Sequence, residues 1–119
     1  QMIPTVPYKE AYFLDDALLF RKELAMLLVY IGGLTRRKMI DEVLNKGFEF
    51  VSMARALIND PAFVNHIRED ANGCCDCGHS NYCIGRMYTI EMACHHHVEN
   101  LPKGIVKEID KLEKRWTKE

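Results

Sequence analysis

The chain has 119 residues, 48% of them hydrophobic and 28% charged, and a formal net charge of -1. That balance suits one small domain with a modest apolar core. With neither a polybasic tract nor an acidic tail, it disfavours nucleic acid and anionic membrane as partners. The longest apolar run, LAMLLVYI, falls far short of the roughly 20 residues a membrane-spanning helix needs. The opening QMIPTVPYKEAYF also lacks the basic-then-apolar order of a secretory leader. All five cysteines lie in the segment GCCDCGHSNYCIGRMYTIEMAC. An odd, clustered set is unlike a disulfide scaffold, so a reducing, cytoplasmic setting is expected. Position 1 is Gln, and the abrupt start reads as a piece cut from a longer protein.

In chain order, a lead-in marked by Pro4 and Pro7 is followed by a helix over YFLDDALLFRKEL. Asp15 and Asp16 come early in it and Arg21 and Lys22 late, as the helix macrodipole prefers. MLLVYI (26–31) is a short continuous apolar run closed by Gly32-Gly33, the pattern of a strand buried on both faces. Thr35 is placed to N-cap a helix through RRKMIDEVLNK, which carries Met39, Ile40, Val43 and Leu44 on one face and stops at Gly47. FEFVSM (48–53) reads as a second strand. Asp60-Pro61 supplies N-cap and first-turn chemistry for a helix over PAFVNHIRED. Strand, helix, strand, helix is the order of parallel βαβ units. Two parallel strands leave both sheet edges open, so the missing neighbours are expected in the remainder of a larger α/β protein, and the isolated piece is expected to be marginal in stability. After the cysteines, Ile105, Ile109, Leu112 and Trp116 form one stripe of a terminal amphipathic helix.

Two turns suit an anion. In YIGGLTRRK the paired glycines permit close backbone approach, and the basic start of the next helix would be eased by a phosphate. In SMARAL, small Ala54 and the forked donors of Arg55 follow the second strand, where parallel barrels commonly hold phosphate. A plain turn with solvated cations, and a structural ion pair at Arg55, are the alternatives.

The stretch LVYIGGLTRRKMIDEVLNKGFEFVSMARALINDPAFVNHIRE resembles the C-terminal part of the NADH:flavin oxidoreductase, or Old Yellow Enzyme, family. Shared with it are a strand ending in Gly-Gly, a helix, a Gly-x-x-(D/E)-x-V strand, and Ala-Arg or Gly-Arg ahead of "DP". The resemblance runs from about Tyr12 to Arg68 and more loosely through the cysteines. It implies the last two β/α units of a (β/α)8 TIM barrel over residues 1–72, then a Cys/His-rich loop (73–101) and a C-terminal helix (102–119). It further implies FMN, bound at its phosphate by backbone groups of Gly32, Gly33, Ala54 and Arg55, with the Arg55 side chain near the flavin. Ala54 stands where many relatives carry Gly. NAD(P)H would be the reductant and an electron-poor alkene, or a similar small molecule, the acceptor. The family's substrate-binding and proton-donating residues lie on earlier strands, so no catalytic residue is assigned here. Tyr8 and Tyr30 are read as structural.

A dienoyl-CoA-reductase-like branch of that family carries a [4Fe–4S] cluster on four cysteines. In the matching positions here stand Cys77, Ser80, Cys83 and Cys94. Serine is a poor replacement for a thiolate, so no cluster is expected. Cys74 and Cys77 form a C-x2-C pair that could join Cys83, Cys94 or a residue of His95–His97 in a zinc site. Consecutive histidines diverge, however, and free thiols packed under the loop are the favoured reading. Two alternatives to the flavoenzyme stay open: another phosphate-binding barrel enzyme, and a small zinc-stabilised interaction module.

Overall fold

The computed structural model describes residues 8–116, with side chains as far as Lys114. Pro4, Pro7 and the side chain of Trp116 lie outside the described residues. The elements are α1 (Leu14–Glu23), β1 (Val29–Ile31), α2 (Arg37–Asn45), β2 (Phe50–Ser52), α3 (Arg55–Asn59), α4 (Phe63–Glu69), α5 (Tyr82–Arg86), a 3-10 turn (His95–His97) and α6 (Lys103–Trp116). Among the described residues no helix is long and apolar enough to cross a membrane.

β1 and β2 pair in parallel, Val29 opposite Phe50, Tyr30 opposite Val51 and Ile31 opposite Ser52, with α2 as the crossover. Both strands are shorter than the apolar runs suggested. They are also not buried on both faces: Tyr30 is 1% exposed, whereas its neighbours Val29 and Ile31 are 57% and 58% exposed. The alternation follows from the pleat, which sends successive side chains to opposite faces when only one face is covered. The covered face meets Val43, Ile40, Phe48 and Leu34, and Phe63 of α4 joins the same core.

Local chemistry explains most of the boundaries. α2 ends with Gly47 at φ 106°, its N–H donating to Leu44 O at 3.1 Å. The start of α2 differs from expectation. Thr35 does not cap it; the Thr35 hydroxyl donates to Glu10 Oε1 at 3.1 Å, and a helical N–H, that of Arg37, donates to Gly73 O at 2.9 Å. The cysteine segment thus caps α2, and Cys75 N–H donates back to Thr35 O at 3.0 Å. With Cys75 also 7% exposed in the core, the first residues after 72 belong physically to the βαβ body. Asp60 likewise does not open a helix at Pro61. Its side chain accepts from Ala62 N–H at 3.0 Å in an intervening turn, and α4 begins at Phe63. α3, absent from the sequence reading, fills the stretch before it.

Arg21 fastens α1 to the entrances of both strands. Its guanidinium donates to Gly47 O at 3.1 Å, to Met26 O at 2.9 Å and to the Glu49 carboxylate at 3.2 Å. Glu49 in turn accepts the Leu28 N–H at 2.8 Å, which is the main reason its carboxyl is held below the usual range.

Candidate functional site

The C-terminal ends of β1 and β2 open into one pocket of about 110 Å³, and Gly32, Gly33, Ala54 and Arg55 all line it. The four residues singled out from two separate turns are therefore brought together. The pocket has two further walls that sequence reasoning missed, Tyr12 and His79.

The Gly-Gly turn is built tightly. Tyr30 Oη donates to Gly32 O at 2.8 Å, while Tyr8 Oη and Ala11 N–H both donate to Gly33 O at 2.9 Å. These bonds fix the peptide planes of the turn and give Tyr8 and Tyr30 a structural part in it. The glycines are also seats for aromatic rings. A Cβ on Gly33, at φ 71°, would lie 2.6 Å from the Tyr12 ring, and one on Gly32 2.8 Å from Phe13. Any side chain there would expel the rings before it met a ligand.

The expectation for the basic start of α2 is corrected. Arg36 is bonded to the Glu10 carboxylate, and Arg37 donates to Ile67 O at 2.8 Å and pairs with Asp41 at 3.5 Å. The protein's own acceptors relieve the charge conflict there, so it does not call for a phosphate. Arg55 is held differently. It is the first residue of α3, and its two terminal nitrogens donate to Asn81 Oδ1 at 2.6 Å and Tyr12 Oη at 3.3 Å. Both partners are neutral, which fixes the guanidinium at the pocket without cancelling its charge. Asn81 sits at φ 60°, a conformation asparagine tolerates better than most residues.

His79 lies 8% exposed beside Arg55, its ring stacked on Tyr8 at 3.4 Å between centroids. Burial, reinforced by the Arg55 charge, pushes its pKa down to about 4, so the imidazole is neutral at neutral pH. Nothing in the sequence distinguishes this histidine from its neighbours.

Behind Arg55 and His79 a second cavity of about 20 Å³ is lined by Cys77, Ser80, Cys83 and Cys94. The loop does converge these four positions. All five cysteines are free thiols, and burial raises the pKa of Cys77 and Cys83 and takes Cys75 to about 11. The donor set is three thiols and one hydroxyl, one sulfur short of a cluster's four. Cys74 lines an outer pocket with Cys75 and Asp76, whereas Cys77 lines the inner cavity. Asn59 ties the region to the body. Its side chain accepts from Asp76 N–H at 3.0 Å and donates to Cys94 Sγ at 3.5 Å, and its carbonyl accepts from His97 Nε2 at 2.6 Å.

No family model matches the chain, and no solved structure matches it. It is similar to a protein of Rhodococcus erythropolis named 4,4'-dithiodibutanoate disulfide reductase, with 42% identity over 89 residues. The aligned stretch is 75% of this chain and 22% of that protein, so the chain spans less than a quarter of its relative's length. What the match shows is a homologue that is an oxidoreductase by name, shared across one segment.

Proposed function

We propose that this chain supplies the phosphate end of an FMN site in a flavin-dependent oxidoreductase of the Old Yellow Enzyme type, as the last two β/α units of a TIM barrel. The single observation that carries the reading is the convergence of Gly32, Gly33, Ala54 and Arg55 at the ends of two parallel strands. The oxidoreductase name of the Rhodococcus homologue supports it. The rest of the barrel would cover Val29, Ile31 and Phe50, each more than half exposed, and the open sheet edges.

The residues fit the group. Arg55 presents a charged fork to the pocket, and the Gly-Gly turn offers backbone held rigid by Tyr8, Tyr30 and Ala11. When bound, FMN would relay hydride from NAD(P)H to a small acceptor. This chain's part is to anchor and orient: Arg55 holds a phosphate oxygen, Asn81 and Tyr12 keep the guanidinium aimed, and the Tyr12 and Phe13 rings shield the turn from water. The acceptor class is an electron-poor alkene or, following the homologue's name, a small organic disulfide. No cluster is assigned to the cysteine loop, because Ser80 supplies a hydroxyl where a fourth thiolate would be needed.

The test is flavin content and affinity in protein made from the complete reading frame. One bound FMN per chain is expected, with affinity lowered roughly 10- to 100-fold by Arg55→Ala, the effect of one charge-assisted hydrogen bond. Protein that binds a sugar phosphate but no flavin would favour a different barrel enzyme. Flavin bound equally well by the Arg55→Ala protein would remove this chain from the phosphate site.

A further inference from the structure

The 3-10 turn does not send its three imidazoles the same way. His97 turns inward to the Asn59 carbonyl. His95 and His96 turn toward α6, their ring centroids 4.1 Å apart and their planes tilted by 32°. His95 Nε2 lies 2.7 Å from Glu113 Oε1. One ligand atom each from His95, His96 and Glu113 falls within 4.8 Å of the other two. The His95 and Glu113 side chains are only 16% and 23% exposed, while His96 is at the surface.

A second observation concerns position 78. A Cβ on Gly78 would lie 2.7 Å from Glu113 Cγ and closer still to its carboxyl group. The missing side chain is what lets the carboxylate of α6 settle against the cysteine loop. Three segments distant in sequence therefore meet at one point: the loop at 78, the 3-10 turn, and the last turns of α6.

We propose that His95, His96 and Glu113 form a binding site for a divalent transition-metal ion of the zinc class, which pins α6 to the cysteine loop. Two imidazoles and one carboxylate are borderline donors, matched to zinc and its first-row neighbours. Magnesium and calcium require more oxygens, and copper(I) prefers sulfur. The ion takes the place of the direct contact between His95 Nε2 and Glu113 Oε1, and water completes a four-coordinate shell. This site is separate from the pocket at the strand ends and stands whether or not that pocket holds flavin.

The test is titration of Zn²⁺ into chelator-treated full-length protein by calorimetry, with Co²⁺ as a spectroscopic probe. The expected result is one equivalent bound, a rise in Tm, and a Co²⁺ spectrum lacking the charge-transfer band of thiolate ligation. Because His96 is exposed, His96→Ala should fold normally, yet lose affinity by at least about 100-fold, since removing a ligand costs no less than removing a group that merely orients one. Glu113→Gln should lose a similar amount, and His66→Ala, at an exposed histidine elsewhere, none. A thiolate band would overturn the proposal by assigning the metal to the cysteines. Binding unchanged in both His96→Ala and Glu113→Gln, or no binding at all, would overturn it equally.

Discussion

The stretch from Ala11 to Cys75 and the stretch from His79 to Lys114 are held together by different forces. The first contains the contiguous apolar core, from Ala11 through Tyr30, Val43 and Phe63 to Cys75. In the second, the described residues that are buried are His79, Cys94 and Ile109. Individual polar links do the fastening there: Arg55 to Asn81, Asn59 to Cys94 and to His97, and His95 to Glu113. A well-placed hydrogen bond is worth about 1 kcal/mol net, against several for a buried aromatic ring. The cysteine loop is therefore expected to open locally, well before the body unfolds.

The comparison can be broken most easily at Phe63, which is 1% exposed. Phe63→Ala is expected to remove about 3–5 kcal/mol and lower the denaturant midpoint of body and loop together. Asn59→Ala should cost about 1–3 kcal/mol and act unevenly. Hydrogen exchange should rise across residues 76–97 while α2 and β1 keep their protection; uniform loss would mean that loop and body form one cooperative unit.

The next effect is pH dependence. His79 titrates at about 4 in the fold instead of 6.5, so between those values the unfolded chain binds the extra proton. Its contribution is complete above about pH 6.5 and is lost as pH falls toward about 4. The loss is about 1–2 kcal/mol once screening by nearby solvent is allowed for. Unfolding midpoints at about pH 5 and about pH 7.5 would show it, and His79→Asn, neutral and tolerant of the φ of 58° at this position, should flatten the difference. The smallest effect belongs to Asp41→Asn, which removes the exposed i,i+4 pair with Arg37. It should change stability by less than about 0.5 kcal/mol in a thermal melt.

Much of the body was legible in the sequence, because periodicity and punctuation act locally. The order of α1, β1, α2, β2 and α4 and the stop at Gly47 came from neighbouring residues. What was not legible depended on partners far along the chain. Thr35 is a good capping residue, yet Glu10 takes its hydroxyl and Gly73 does the capping. Arg36 and Arg37 stand in the sequence as uncompensated cations at a helix start, but Glu10 and the Ile67 carbonyl, far along the chain, lie beside them. Val29 and Ile31 sit in a run with no polar residue to mark an open face, yet among the described residues only the Tyr30 face of the strand is covered. Asn59, one asparagine among several, gives no sign in the sequence that it bonds three separate points of the loop.

Gly78 and Glu113 are thirty-five positions apart in the numbering, yet the place of the carboxylate depends on the bare backbone at 78. While the carboxylate keeps its present position, a Cβ at 78 collides with it, so a larger residue there must push the Glu113 side chain aside; once the acid is gone, that restriction lifts. A side chain at 78 would consequently move the carboxylate away from His95 and His96 without needing to unsettle the backbone of the loop.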